Sequence, residues 1–226
     1  MDVFFMSFKE SNAESNWLRT KELHPNAIRL HGIVGIDKIH LLCNQLSTTD
    51  YFWTVDGDNW LTEPLLFNTS DIIADLTLFK AIDPLNDSTT ALGGIKLWKK
   101  DSFINKDMSR GDFTLNATSS KQVVDKVFCI TKYTDSPYDA WKTAFRHCVK
   151  LMSVLFRSRP NAKNIDFYIE QWRKCETIDK PNANWAYQGY LDAKTYVDQY
   201  DNQLDELRLI NNYEWLETHF KKLHEN

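Results

Sequence analysis

Cysteine is sparse in this 226-residue chain, and its four copies, Cys43, Cys129, Cys148 and Cys175, never form a CxxC pair or stand beside a paired-histidine motif. That spacing indicates neither a zinc site nor a disulfide framework, and a reducing cytosol is the expected compartment. No apolar run approaches the roughly 20 residues that a membrane-spanning helix needs. The first strand is expected from Asp2 or Val3, which leaves no room for a signal peptide. Internal repeats, low-complexity segments and obvious linkers are absent. Positive charge is not in excess: 27 basic against 31 acidic residues leave a net charge of −4 and a pI near 5.9. A protein that coats nucleic acid by charge alone is therefore not indicated, although local basic patches stay open.

What the chain does have is enough length for one α/β domain and enough aromatic residues, 13%, to fill its core. Val3-Phe4-Phe5-Met6-Ser7-Phe8 reads as a buried strand. Ala13, Trp17 and Leu18 supply a short helical stripe up to Leu23. Ala27 to His31 is a second strand, and Gly32 and Gly35 bracket the loop that follows it. Ile36, Ile39, Leu42, Cys43 and Leu46 then recur at helical spacing. Next comes Tyr51-Phe52-Trp53-Thr54-Val55, the composition of a strand buried on both faces, which ends in Asp56-Gly57-Asp58. Strand, helix, strand, helix, strand implies a parallel sheet with crossover helices.

Beyond Asp58 the pattern loosens. Ile72-Ile73-Ala74 and Leu76 to Phe79 are short strand-like runs, and Ala91 to Trp98 is a strand with Gly93-Gly94 inside it. That pair marks a bulge, a ligand close to the backbone, or a simple hairpin bend. Val123 to Thr131 is another strand. Ser136-Pro137-Tyr138-Asp139 is a helix start with a serine cap and proline at the first position, and the apolar stripe from Trp141 to Leu155 predicts a helix ended by Pro160. Ile165 to Glu176 and about Gly189 to Leu223 read as helical.

The two acids are the chemically informative motif. In an open α/β sheet ligands bind beyond the carboxyl ends of strands, so Asp56 and Asp58 are expected at the rim of that crevice. Carboxylates so close repel unless a cation lies beside them, and a hard divalent ion carrying a phosphate meets that need. The alternative is a pair of exposed loop acids. An EF-hand loop would need an oxygen side chain and then a glycine where Trp60 and Leu61 stand. A haloacid-dehalogenase-type phosphatase would place its DxD near the chain start, with Thr or Val two residues after the second acid. A sugar-1-phosphate nucleotidyltransferase opens with a glycine-rich loop, which Ser7-Phe8-Lys9-Glu10 is not.

Several blocks, taken in order, resemble the small GT-A-fold glycosyltransferases of T-even-like bacteriophages. They are Asp2 to Phe8 with Asn12-Ala13-Glu14, Pro25-Asn26-Ala27 leading to His31-Gly32-Ile33-Val34-Gly35-Ile36, His40, Thr49 to Asp58, Gly93 to Leu97, Asp112-Phe113-Thr114, and Ala140 to Leu151. The resemblance covers about residues 2–155, and His147 stands where the pattern has an acid. It implies an α/β fold of GT-A type, related to the Rossmann fold, with a mostly parallel sheet, flanking helices and a helical C-terminal part. The single domain 1–226 would comprise a nucleotide-sugar and metal-binding part over 1–135 and a helical part over 136–226.

The same resemblance implies a UDP-sugar donor and a Mn²⁺ or Mg²⁺ ion, with Asp58 on the metal and Asp56 contacting metal or ribose. Ser7, Phe8, His31, Gly32, Lys38 and His40 would line the nucleotide side, although His40 also reads as an ordinary semi-buried histidine. Gly93 and Gly94 would cradle donor or acceptor. Asp112 is the candidate general base for an inverting transfer, or else a turn cap, and a retaining mechanism is equally open. The implied acceptor is 5-hydroxymethylcytosine in double-stranded phage DNA, receiving glucose or arabinose in the host cytoplasm, with no membrane involved. A glycan or small-molecule acceptor, and a catalytically silent DNA-binding domain, are the alternatives.

Lys142, Arg146 and Lys150 follow one another at four-residue spacing, with Arg157 on the same side, opposite the apolar stripe. No acid occurs from Ala140 through Ile165. This strip is either a solvated face or an electrostatic track for acceptor phosphates. Lys96, Trp98, Lys99 and Lys100 are candidates to extend it.

Overall fold

Apolar residues on both faces of a strand demand cover on both sides, and that requirement organises the N-terminal part of this chain. The computed structural model describes residues 1–85, 89, 91–103, 113–153 and 165–225. They fall into two units, Met1–Lys132 and Tyr133–Asn226.

The first unit holds seven strands: β1 (Asp2–Ser7), β2 (Ile28–His31), β3 (Tyr51–Asp56), β4 (Asn59–Leu61), β5 (Leu76–Ile82), β6 (Ala91–Lys99) and β7 (Lys121–Thr131). They form one sheet in the order β2-β1-β3-β6-β5-β7-β4. β1 pairs parallel with β2 and β3, and β5 with β7, whereas β6 and β4 run against their neighbours. Five of the seven strands thus share one direction, and the sheet is mixed but mostly parallel, as expected.

Strand alternation sorts the core into two layers. Val3, Phe5, Trp53, Val55, Ile95 and Leu97 face one way, where Trp17 and Leu23 of α1 (Ala13–Leu23) pack on them. Phe4, Met6, Phe52 and Trp98 face the other way, toward Ile39 and Cys43 of α2 (Ile36–Leu46) and Phe113 of the short α3 (Phe113–Asn116). The parallel register places Met6 opposite Asp56 and Ser7 opposite His31, so the carboxyl ends of β1, β2 and β3 lie side by side.

Beyond Asp58 the structure overturns one expectation, adds one strand and decides one open alternative. Ile72-Ile73-Ala74 is not a strand: it follows a 3₁₀ turn at Thr69–Asp71, and Ile73 is 86% exposed. Asn59–Leu61 is one, because two alternating side chains, Asn59 and Leu61, are buried beneath its pairing with β7. Gly93-Gly94 belongs to a bulge, the first of the three alternatives. Leu78 pairs with Lys96 but Lys80 pairs with Leu92, so β6 spends four residues where β5 spends two.

The second unit is helical: α4 (Pro137–Met152), α5 (Ile165–Lys174), α6 (Ala183–Tyr200), α7 (Leu204–Arg208) and α8 (Tyr213–His224). Ser136 caps α4 by accepting the Asp139 backbone N–H at 3.1 Å. The helix closes at Ser153, which is buried, rather than running to Pro160; residues 154–164 lie outside the described set. The expected run from Gly189 to Leu223 begins earlier, at Ala183, and breaks near Asp201 into separate helices. Trp141 and Phe145 stack 4.7 Å apart at its centre, with Phe220 and Tyr196 against them. Among the described residues no helix is long and apolar enough to cross a membrane.

Candidate functional site

β3 delivers Asp56 to the rim, and β6 meets it there with a lysine. Lys96 pairs with Thr54 in the antiparallel register, and its ammonium donates to Asp56 Oδ2 at 2.8 Å. The Lys96 side chain is 8% exposed and that of Asp56 33%, so this ion pair is largely out of water. The other oxygen, Asp56 Oδ1, is buried and meets no hydrogen-bond partner among the described residues. An anionic acceptor left that way is costly unless a ligand completes it. Gly94 makes the arrangement possible: a β-carbon there would stand 2.6 Å from Asp56 Oδ2 and 2.5 Å from Asn59 Nδ2.

Asn59 ties the two acids together. Its buried amide donates to Asp58 Oδ1 at 2.7 Å and to the Asp56 carbonyl at 3.3 Å. Its Oδ1 accepts from Gly94 N at 3.3 Å and from Cys129 Sγ at 3.2 Å. Burial first, then the charges of Asp58 and Asp56, push the Cys129 thiol well up, so it stays a protonated donor. Asp58 itself is half-buried on the turn, and its carbonyl accepts Lys132 N at 2.6 Å.

On the β1 side, Glu10 backs the turn. Its Oε2 accepts Phe8 N at 2.7 Å and lies 2.8 Å from where a β-carbon on Gly57 would be. Asn16 donates to the Gly57 carbonyl at 2.8 Å. Ser7 Oγ is 3.0 Å from His31 Nδ1 and accepts Arg29 Nε at 3.2 Å, while Arg29 also pairs with Glu14. With Arg29 donating, the Ser7 hydroxyl proton is free for Nδ1, and Nε2 is the remaining nitrogen of the exposed His31 ring.

Of the residues expected at the site, Ser7, His31, Gly32, Asp56, Asp58 and Gly94 converge on this end of the sheet. Gly32 N donates to the Ser7 carbonyl, Gly93 precedes Gly94 in β6, Phe8 follows Ser7 half-buried, and Lys38 is exposed on α2. His40 does not join them. It is fully buried, with its ring 5.1 Å from Trp98 and 4.8 Å from Phe113 and Nδ1 at 2.7 Å from the Ile36 carbonyl. That is the ordinary core histidine of the alternative reading. Asp112 and Arg157 lie outside the described residues.

Two of the basic residues on α4 are already bonded within the second unit. Arg146 donates to the Ile210 carbonyl at 2.8 Å and to the Tyr213 hydroxyl at 3.2 Å, and Lys142 pairs with Asp139 at 2.7 Å with 13% of its side chain exposed. The segment around Tyr213 covers the face that helical spacing alone left bare, and Lys150 on the same helix is half-buried. Lys96 and Trp98 are buried too, the latter donating to Thr54 Oγ1, and Lys100 is bound to the Ser47 carbonyl. Glu10, Asn59 and the Lys96–Asp56 pair are the site features that motif reading missed. A lysine set between Ile95 and Leu97 in an otherwise apolar stretch of strand was the available signal.

Among the described residues no three His, Cys, Asp or Glu side chains cluster as a self-sufficient metal cage. Two neighbouring acids and one unpartnered carboxylate oxygen nevertheless fit a hard divalent ion that fills its shell with phosphate oxygens.

No family model and no curated protein matches the chain. Solved structures similar to it include a glycosyltransferase involved in the glycosylation of the major capsid of PBCV-1, at 11% identity over 55% of this chain and 82% of that one (TM-score 0.36). TarS 1–349 of S. aureus is 11% identical over 100% of this chain and 92% of its own (TM-score 0.39). HddC from Yersinia pseudotuberculosis is 12% identical over 57% and 70% (TM-score 0.35).

Proposed function

We propose that this chain is a glycosyltransferase that moves a sugar from a UDP-sugar to an acceptor hydroxyl, with Mn²⁺ or Mg²⁺ held by Asp58 and Asp56. The observation that carries the proposal is the acid pair at the end of the central strand, with Asp56 Oδ1 buried and unpartnered beside the open ends of β1 and β2. Such an ion supplies positive charge to the diphosphate as it departs, without proton transfer. The chain's own residues do the rest. Asn59 fixes the Asp58 carboxylate, Ser7 and Arg29 orient His31, and the exposed His31 and Gly32 offer ring nitrogen and backbone to the nucleotide. Asp112, outside the described residues, is the proposed base for the acceptor hydroxyl.

The phage-enzyme resemblance makes 5-hydroxymethylcytosine in DNA the leading acceptor, with glucose or arabinose transferred. One observation favours a glycan or small-molecule acceptor instead: Lys142 and Arg146, proposed for phosphate contact, are spent on bonds inside the chain. Manganese-dependent hydrolysis of a UDP-sugar, abolished in Asp58→Asn, tests the enzyme reading. Mass measurement of hydroxymethylcytosine DNA incubated with a panel of UDP-sugars and Mn²⁺ tests the acceptor. A gain of one hexose or pentose identifies DNA, and an unchanged mass with active hydrolysis points to the other acceptors.

A further inference from the structure

We infer that Lys96 is a built-in competing cation that keeps the centre from loading its metal before the nucleotide arrives. The inference rests on the glycosyltransferase reading above and assigns a role to a residue outside the acid motif.

Lys96 lies in β6 between the buried residues Ile95 and Leu97, a setting where an apolar side chain would avoid the cost of drying an ammonium. Its one hydrogen-bond partner among the described residues is Asp56 Oδ2, at 2.8 Å. The bulge at Gly93-Gly94 and the missing β-carbon of Gly94 bring Asp56 against this part of β6. The pair is therefore built into the sheet rather than formed by chance between flexible side chains.

Its consequence is a matter of charge. Asp56 and Asp58 alone would offer a dication two negative charges. The Lys96 ammonium cancels one of them at hydrogen-bond distance, in a setting only partly reached by water, where a unit charge acts strongly. A centre whose first acid is already paired with an ammonium holds a divalent ion weakly until a diphosphate adds its own negative charge. The same ammonium attracts that diphosphate. Lys96 thus opposes the metal and favours the nucleotide, and the two ligands are best accommodated together.

Removing the charge must therefore move the two affinities in opposite directions, which damage to the fold cannot do. In the full chain, Lys96→Gln is expected to bind Mn²⁺ without nucleotide about tenfold more tightly than wild type, the scale of one unit charge at short range. It is expected to bind UDP in the presence of EDTA about tenfold more weakly. Free Mn²⁺ is read by electron paramagnetic resonance and UDP by calorimetry. Lys96→Met, which also removes the hydrogen bond, is measured alongside and is expected to shift both affinities the same way as Lys96→Gln. If both variants weaken both ligands, or leave Mn²⁺ binding unchanged, Lys96 is not a competing cation. If wild type binds neither Mn²⁺ nor UDP, even together, the glycosyltransferase reading itself falls and this inference with it.

Discussion

A β-carbon on Gly94 would stand 2.4 Å from Asp56 Cβ, closer than two side chains can approach. The first acid of the motif therefore holds its place because the neighbouring strand has no side chain there. Gly94→Ala must push Asp56 or β6 aside, and Asn59 with them. It is expected to cost about 1–3 kcal/mol by overpacking and to abolish UDP-sugar hydrolysis. Urea unfolding beside the hydrolysis assay checks both. A variant with normal stability and full activity would show that the close approach is not needed.

Asn59 makes a separate prediction possible. Replacing it with Ala leaves Gly94 N and the Cys129 thiol without their acceptor and removes the Asn59 donor from Asp58 Oδ1. The stability loss is expected at about 1–3 kcal/mol for buried groups left unpaired. Mn²⁺ affinity in the presence of UDP should fall about 10–100-fold, the usual effect of losing an outer-shell partner. Asn59→Asp, which adds a further negative charge beside Asp58, should destabilise as well but tighten free Mn²⁺ binding. The contrast between the two variants in one binding titration separates positioning from charge.

Two histidines are expected to lower stability between pH 7.5 and 5.5. Burial, then the positive N-terminus, lowers the His24 pKa from its ordinary 6.5, and its Nε2 accepts the Leu65 backbone N–H at 2.9 Å, which protonation would forbid. Burial also lowers His219, with Asp192 opposing and Lys222 and His224 adding to the shift. Its ring stacks 4.5 Å from Trp215. A lowered folded pKa means the unfolded chain binds the proton first. Stability is thus full above the unfolded pKa and is lost as pH falls from about 6.5 through each folded value. Urea midpoints at pH 7.5 and 5.5 should differ in wild type, and the difference should shrink in His219→Phe. An unchanged difference would place the sensitivity elsewhere.

The central strand could be read in the sequence because its cause is local. Tyr51 to Val55 is aromatic or β-branched throughout, and a strand buried on both faces favours just that. The Ser136-Pro137 start of α4 was legible for the same reason, since cap and proline act within one turn. Asp56 was recognisable, but its partner was not, because Lys96 lies 40 residues away and reaches it only through the β3–β6 register. His40 had two readings, lining the nucleotide by resemblance or an ordinary semi-buried histidine by itself. The sequence could not decide between them, because Trp98 and Phe113, which enclose it, come from distant parts of the chain.

Arg146 distinguishes a structural lysine–arginine strip from a binding one. Helical spacing correctly put Lys142 and Arg146 on one face of α4, but spacing cannot say what covers that face. Arg146 donates to the Ile210 carbonyl and the Tyr213 hydroxyl, and its guanidinium lies 5.1 Å from the Tyr213 ring. Arg146→Ala removes a charged donor from a carbonyl and packing from a ring, a loss expected at about 1.5–3 kcal/mol. Tyr213→Phe, which loses only the hydroxyl, should cost about 0.5–1.5 kcal/mol. Neither change should alter the slope of DNA affinity against salt, because a side chain already bonded within the chain releases no phosphate counterions. Urea unfolding and a salt titration of DNA binding together decide the matter. A slope reduced by about one in Arg146→Ala, with unfolding unchanged, would return this residue to the phosphate track.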